Sequence, residues 1–496
     1  MYGIRFNSRT EQPRVLAPRA DIALFVGWGV WRKGLATPAV LAQALHTRFA
    51  RSVAAGAPLP LGLPLPFDSW EAFDRAAAWR ERPLRAQDET ADTLLGLAVR
   101  DFFANGGQRC HVLLLGAPWS LGHAPPEPEA RFAELLPPFI DTERESWRGL
   151  ACLRALDEVA LVLLPDLPEL AAQAPRRLNP AQDLPDPPEV FVECGERTAP
   201  APRERGGLTV AAPRCGPEGY ARWRSYAQRV GDFLARYRRD CQAQLALPLP
   251  SDDAGRQRDA LAATQGLQSS FLQLAYPWLR PVRSPRCAEG LVAPDGALAG
   301  LVAATALGQG AYRTAAGRQP NQVFAVEPLP PVAERVTPAP GGEAQRWTSR
   351  ISLFAPRQHR IELLSDRLCT DRAGWHNASA GRLMGQLLRE AALIGEAFAF
   401  EPNGPALWRA VARNFERLLT AWWNDGALAG ASPALAFDVR CGPAVMTPSD
   451  IDNGRLVCRV AFAPANSIER LQVDLLLREA AGVGWRDVQA LPEVMV

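Results

Sequence analysis

The chain has 496 residues, 47% of them hydrophobic, and 55 Lys and Arg stand against 53 Asp and Glu for a formal net charge of +2. That length and apolar content call for roughly two to four domains with sizeable cores. The near balance of charge excludes the basic footprint of a nucleic-acid binder, and with Lys33 as the one lysine it leaves no lysine-based chemistry.

Taken in chain order, Met1 to Pro18 is polar and extended, with Tyr2, Ile4 and Phe6 alternating as a strand would. It reads as an arm. The start carries charge and no long apolar run, so it is not read as a signal peptide, and no window reaches the ~18 apolar residues of a membrane helix. The expectation is a protein made and folded in the cytoplasm.

From Ala20 to about Leu164 the apolar runs ALFVG, HVLLL and VALVLL alternate with helical stretches such as DSWEAFDR (Asp68 to Arg75) and AVRDFFA (Ala98 to Ala104). This is the pattern of an α/β layer with a largely parallel sheet covered on both faces. Between Asp166 and Gly219 prolines and arginines crowd together, which predicts an exposed, irregular insertion. A helix comes after it with Tyr220, Trp223, Ala227, Val230, Leu234 and Tyr237 on one stripe, leading to a short strand at Leu245 to Leu249. At helical spacing that stripe reads as core, with a binding platform as the alternative. A second Pro-rich stretch, Glu327 to Gln345, reads as a linker.

Two amphipathic helices come next. Leu383, Leu387, Ala391, Ile394 and Phe398 share one face of the first, and Trp408, Val411, Phe415, Leu418 and Trp422 one face of the second. Between them FEPN (Phe400 to Asn403) forms a corner, because Pro402 excludes the helical region for Glu401 and Asn403 is placed to cap the second helix. Beyond that helix lie a Gly/Ala-rich turn (Gly426 to Phe437) and a strand within Pro448 to Ala465, then the alternation Leu471, Val473, Leu475, Leu477 and a leftover tail from Val483 to Val496. Arg409, Arg413 and Arg417 step by four along the polar face of the second helix, a stripe read either as solvated or as a contact for acidic groups.

Catalytic constellations are not apparent. No GxSxG stands in the chain, and His46, His111, His123, His359 and His376 show no HExxH or paired spacing. The glycines of ANGGQR (Ala104 to Arg109) leave a helix and enter a strand, the reverse of a phosphate cradle, so Gly106 reads as a helix C-cap. SDIDNG (Ser449 to Gly454) is too short for a calcium loop and reads as a turn. Nine cysteines lack any CxxC pair and read as buried thiols rather than metal ligands or disulfides. No cofactor or metal is expected.

The order FEPN corner, Leu407-Trp408 helix start, Gly-Ala turn (Gly426 to Ala431) and acidic lead Thr447 to Gly454 into a strand closely resembles the C-terminal domain of contractile tail sheath proteins. The segments Ala20 to Gly29, Asp68 to Arg75, Ala98 to Leu115, Asp157 to Asp166, Ala275 to Arg280 and Val292 to Thr305 resemble the rest of that family in the same succession. The resemblance implies an α/β fold: a mixed sheet with flanking helices, subtilisin-like in topology but without a catalytic triad, plus an α+β C-terminal core and extended terminal arms. It places an N-terminal arm at 1–19, the α/β domain at 20–330 with its insertion at about 166–219, a linker at 331–347, the C-terminal core at 348–478 and a C-terminal arm at 479–496.

The implied function is mechanical rather than enzymatic. Subunits would form a helical homopolymer of six-fold rings around an inner tube, with baseplate and terminator or cap proteins at its ends. The polymer would contract by subunit rotation. Arms would be exchanged by strand addition, through Tyr2, Ile4 and Phe6 at one end and Leu471, Val473, Leu475, Leu477 and Val494 at the other. Arg409, Arg413 and Arg417 would face the tube. Neither nucleic acid nor membrane insertion is implied, and the particle would be a phage tail or a tail-like injector of the kind that can be released from the cell. The chain departs from the family at Arg350 to Asp371, where two glycines and a Trp are lost, and at Leu307 to Tyr312. A baseplate-proximal or minor sheath paralogue is therefore the second reading, and a subtilisin-like hydrolase a remote third.

Overall fold

The computed structural model describes residues 19–84, 89–175, 210–251, 257–330, 347–372, 375–398, 401–465, 470–478 and 482–491. In the first part of the chain the strands are β1 (Ala23–Gly27), β2 (Pro64–Phe67), β3 (Arg82–Pro83), β4 (Thr90–Ala91), β5 (Cys110–Leu114), β6 (Leu161–Leu163), β7 (Arg214–Cys215), β8 (Gln242–Ala246) and β9 (Leu249–Pro250). Then come β10 (Leu272–Tyr276), β11 (Trp278–Pro281), β12 (Val323–Glu327), β13 (Ile351–Arg357) and β14 (Arg360–Leu363). The last four are β15 (Phe437–Cys441), β16 (Leu456–Phe462), β17 (Arg470–Arg478) and β18 (Gly482–Leu491).

An eight-stranded sheet runs in the order β14-β13-β10-β8-β6-β1-β5-β2. Its six inner strands are parallel, and β2 and β14 join antiparallel at the two edges. Strands β1, β5 and β6 are buried at every residue, as continuous apolar runs between two helical layers must be. Edge strand β2 carries Pro64 and Pro66, whose missing N–H groups blunt further pairing. The helices Leu94–Ala104 and Asp295–Gln309 lie in close contact on one face: a Cβ added at Gly296 would stand 2.3 Å from the Ala98 carbonyl oxygen. The aromatic stripe of the helix Pro217–Tyr237 is core, with Tyr220, Trp223, Ala227, Val230 and Leu234 buried and Tyr237 half-buried.

A second core is built by the helices Ala378–Ala397 and Pro405–Asn424 against an antiparallel sheet of order β15-β16-β17-β18. Leu383, Leu387 and Ala391 from the first helix meet Val411, Phe415 and Trp422 from the second over Val460, Phe462, Leu471 and Val473. Ile394, Phe398 and Leu418 pack at its margin, and Leu419 takes the buried place in the stripe.

Several sequence expectations shift. The C-terminal core does not begin at 348: β13 pairs with β10, and Ile351, Leu353, Phe354, Ile361, Leu363 and Cys369 belong to the first core, so the division falls near residue 370. A Pro-rich stretch punctuates the sequence without separating folding units, because sheet pairing outweighs local composition. The expected linker lies, but for Trp347, outside the described residues. The insertion is also shorter than 166–219. Leu167–Ala171 is a fully buried helix and Val210, Ala212 and Cys215 are buried, leaving residues 176–209 outside the described ones.

Asn403 does not cap the second helix; Gly404 holds that position while Asn403 accepts a 2.7 Å hydrogen bond from the Trp408 indole. The acidic SDIDNG turn is a short helix, Pro448–Asp452, closed by a capping box between Thr447 and Asp450. The stretch from 479 onward does not stand off as an arm where it is described: Gly482–Leu491 pairs antiparallel with β17, with Leu477 opposite Val483.

Candidate assembly surface

Strand β17 turns three of the expected C-terminal contact residues into the chain's own core. Leu471, Val473 and Leu475 alternate as predicted, but all three are fully buried beneath the two long helices. Alternation puts every second residue on one face, and in this strand that face is the chain's own core. Leu477 lies in register between Leu456 and Val483, so both sides of β17 are occupied by strands of the same chain. Tyr2, Ile4, Phe6 and Val494 lie outside the described residues. The strands with one partner each in this sheet are β15 and β18.

Arg409, Arg413 and Arg417 are brought together as the sequence predicts. All three are exposed on the second long helix, opposite its buried stripe. Arg417 donates to the Asn414 side chain at 2.7 Å, and a shallow depression beside it is lined by Arg413, Glu416, Arg417, Thr420 and Asn424. The surface is basic but not purely so.

The junction between the two units was not legible in the sequence. Arg382, from the first turns of the helix Ala378–Ala397, forms a paired contact with Asp366, at 2.6 Å and 3.1 Å. Asp366 also accepts from Gln273 at 2.7 Å, the Ala315 N–H at 2.9 Å and Thr314 at 3.1 Å. Burial alone would raise the Asp366 carboxyl, but the Arg382 charge and these donors hold it below the usual carboxylate range. Two turns along, Arg389 donates to the Asp240 carbonyl at 2.6 Å, and Gly385 lies so close that an added Cβ would stand 2.5 Å from the same oxygen. The spacing Gly381, Gly385, Arg389 on one helix was the available signal: small residues at i, i+4 mark a backbone approach.

At the carboxyl ends of the parallel strands, where open α/β sheets place their ligands, the chain is filled. Asp166 accepts the Trp28 N–H at 2.8 Å. Glu169 pairs with Arg82 at 2.5 Å and 3.0 Å and accepts from the Trp119 indole at 3.1 Å, while Trp28 and Trp119 meet edge to face at 5.1 Å. Arg82, Asp166 and Glu169 are all buried, and burial pushes Asp166 up to about 7. The cluster is a structural plug of charge and indole. Of the five histidines, His111 is buried in β5. A groove of about 1040 Å³ lies elsewhere, lined by Arg19, Asp68, Arg80, Arg100, Arg109 and Arg286 among others.

Among the described residues no group of three or more His, Cys, Asp and Glu is placed to hold a metal, and no helix is long and apolar enough to cross a membrane.

Residues 371–477 match the family model of the phage tail sheath C-terminal domain, beginning where the second core begins. The chain has the fold of a contractile sheath protein. A chain of the anti-feeding prophage (AFP) baseplate in contracted state is 20% identical with a TM-score of 0.57, over 94% of this chain and 96% of that one. A chain of the AFP helical sheath in contracted state is 17% identical with a TM-score of 0.53, over 94% of each. A chain of the PVC sheath complex, an extracellular contractile injection system in contracted state, is 15% identical with a TM-score of 0.53, over 94% of this chain and 93% of that one. No curated protein matches the chain in sequence.

Proposed function

We propose that the chain is a structural sheath subunit of a contractile tail or injection system. The observation that carries this reading is the sheath C-terminal domain at 371–477, set in a chain whose strand-end cluster is packed shut rather than open to substrate. In this role the protein is not an enzyme. It polymerises as a helical tube of six-fold rings around an inner tube, is nucleated at a baseplate and closed by a terminator, and contracts by rigid-body rotation to drive the tube through a target envelope. Assembly takes place in the cytoplasm.

Arm exchange supplies the links. The segment with Tyr2, Ile4 and Phe6 adds to a neighbour's open sheet edge, and at the other end the contribution falls to residues beyond β17, including Val494, since Leu471, Val473 and Leu475 are committed to the core. Each backbone bond across a junction contributes only about 1 kcal/mol net, so the polymer and not the pair is stable. Negative-stain microscopy of the purified protein, with and without the inner tube protein, should show long striated tubes. Deleting residues 1 to 10 should leave soluble, folded subunits and no tubes. A full-length protein that stays a monodisperse monomer, or a truncation that polymerises normally, overturns the reading.

The tube-facing surface is assigned to Arg409, Arg413 and Arg417. Reversing all three to Glu is expected to abolish co-assembly with the tube protein while circular dichroism stays unchanged, and tube-filled sheaths from that variant count against the assignment. The departures at Leu307 to Tyr312 and Arg350 to Asp371 favour, as second reading, a minor sheath ring next to the baseplate. Short rings in place of long tubes would select it.

A further inference from the structure

Strand β15 pairs antiparallel with β16, and in that register Cys441 stands directly opposite Cys458. One hydrogen bond fixes the kind of pair they form. The Ala463 N–H donates to the Ala436 carbonyl at 2.9 Å, one step beyond the Phe437–Phe462 pair. Hydrogen-bonded and non-hydrogen-bonded pairs alternate along an antiparallel ladder. Counting from Ala436–Ala463, the pairs Asp438–Ala461 and Arg440–Arg459 are hydrogen-bonded, and Cys441–Cys458 falls on a non-hydrogen-bonded site. Such sites bring opposing Cα atoms to about 4.5 Å, inside the span a disulfide bridges.

The two thiols differ in access. Cys441 is half-exposed on the edge strand, whereas Cys458 is fully buried in the second core. Both are free thiols. A hydrogen bond to Cys441, then burial, holds the Cys458 thiol well above its ordinary pKa, and the more accessible Cys441 is the sulfur an oxidant meets first.

We propose that Cys441 and Cys458 form a redox-responsive pair that closes to an intramolecular disulfide when the protein meets a low-molecular-weight disulfide such as oxidised glutathione. Cys441 thiolate attacks one glutathione sulfur, breaking the glutathione S–S bond, forming a mixed disulfide and expelling one glutathione thiolate. Cys458 gives up its proton to the expelled thiolate and attacks the Cys441 sulfur, forming the protein S–S bond and releasing the second glutathione. Two protein thiols are oxidised and one disulfide is reduced to two thiols, so electrons and protons balance. The closed bond staples the edge strand to its neighbour across residues 442–457, which hold the capped helix Pro448–Asp452. It leaves the buried β16–β17 contact as it is.

The test uses the full chain in native buffer, incubated with oxidised or reduced glutathione, then denatured, alkylated and digested without reductant for mass spectrometry. Oxidation should produce one linked peptide pair joining Cys441 to Cys458, about 2 Da below the sum of the two thiol peptides and lost on adding dithiothreitol. Cys441→Ser should give no link and leave Cys458 fully alkylated, separating the pair from random oxidation of unfolded chain. The proposal is overturned if both residues of the wild type remain alkylated after oxidation. It is equally overturned if Cys441 stops at a stable glutathione adduct with Cys458 alkylated, or if Cys458 links elsewhere in Cys441→Ser.

Discussion

Asp166 and Asp295 are buried carboxyls without a cationic partner in direct contact among the described residues, and burial pushes each up to about 7. Asp166 accepts from the Trp28 N–H, and Asp295 from the Gly296 N–H at 3.0 Å. In the unfolded chain both titrate near the ordinary ~3.9. Between about pH 4 and pH 7 the folded protein therefore holds protons that the unfolded chain has released, and stability falls as pH rises through that window. Asp366 and Asp240 act in the opposite sense: their folded carboxyls are depressed, so their stabilisation is present above about pH 4 and is lost as pH falls further. The expected thermal midpoint is highest at mildly acidic pH, lower at pH 7.5 and lower again below about pH 4. Asp166→Asn, which keeps an acceptor for Trp28, should flatten the slope between pH 5 and 7.5. A circular-dichroism melt series that rises toward pH 7.5 would contradict this assignment.

The first long C-terminal helix does two jobs with two faces. Leu383, Leu387 and Ala391 serve the second core, while Gly381, Gly385 and Arg389 lie along the α/β unit at Gln242 and Asp240. Gly385→Ala tests the second face. Alanine improves intrinsic helix propensity by about 1 kcal/mol, yet its Cβ would meet a backbone oxygen that no rotamer change can move. The net effect is expected to be a loss of about 1–3 kcal/mol in denaturant unfolding, and a stabilised variant would show that the contact yields easily. In β17 the same logic of faces explains why the alternation marks a strand while Leu471, Val473 and Leu475 turn inward to the second core. Periodicity reports which residues share a side, not what lies on that side.

For the whole molecule, the Arg382–Asp366 pair joins the two units. Removing one partner from a buried pair leaves a charge without compensation, so Arg382→Met should cost about 3–5 kcal/mol. The double variant Arg382→Met, Asp366→Asn should recover part of that loss. If the single variant unfolds like the wild type in denaturant, the junction does not depend on this pair.

The sequence by itself determined the local grammar of this protein. ALFVG became β1, the Tyr220 stripe became core, and the two helices around Pro402 faced each other as their spacing requires, because periodicity and proline sterics act over a few residues and need no partner. It also carried, between Phe400 and Gly454, motifs of the sheath C-terminal domain that residues 371–477 match. Only the tertiary structure decided what pairs with what at long range. It placed β13 in the first sheet across a Pro-rich stretch, folded Gly482–Leu491 onto β17, sank Leu471, Val473 and Leu475 into the core, and brought Arg382 to Asp366. Those choices are settled by burial and by the pairing of charges and backbone groups between distant segments, which no stretch of sequence contains alone.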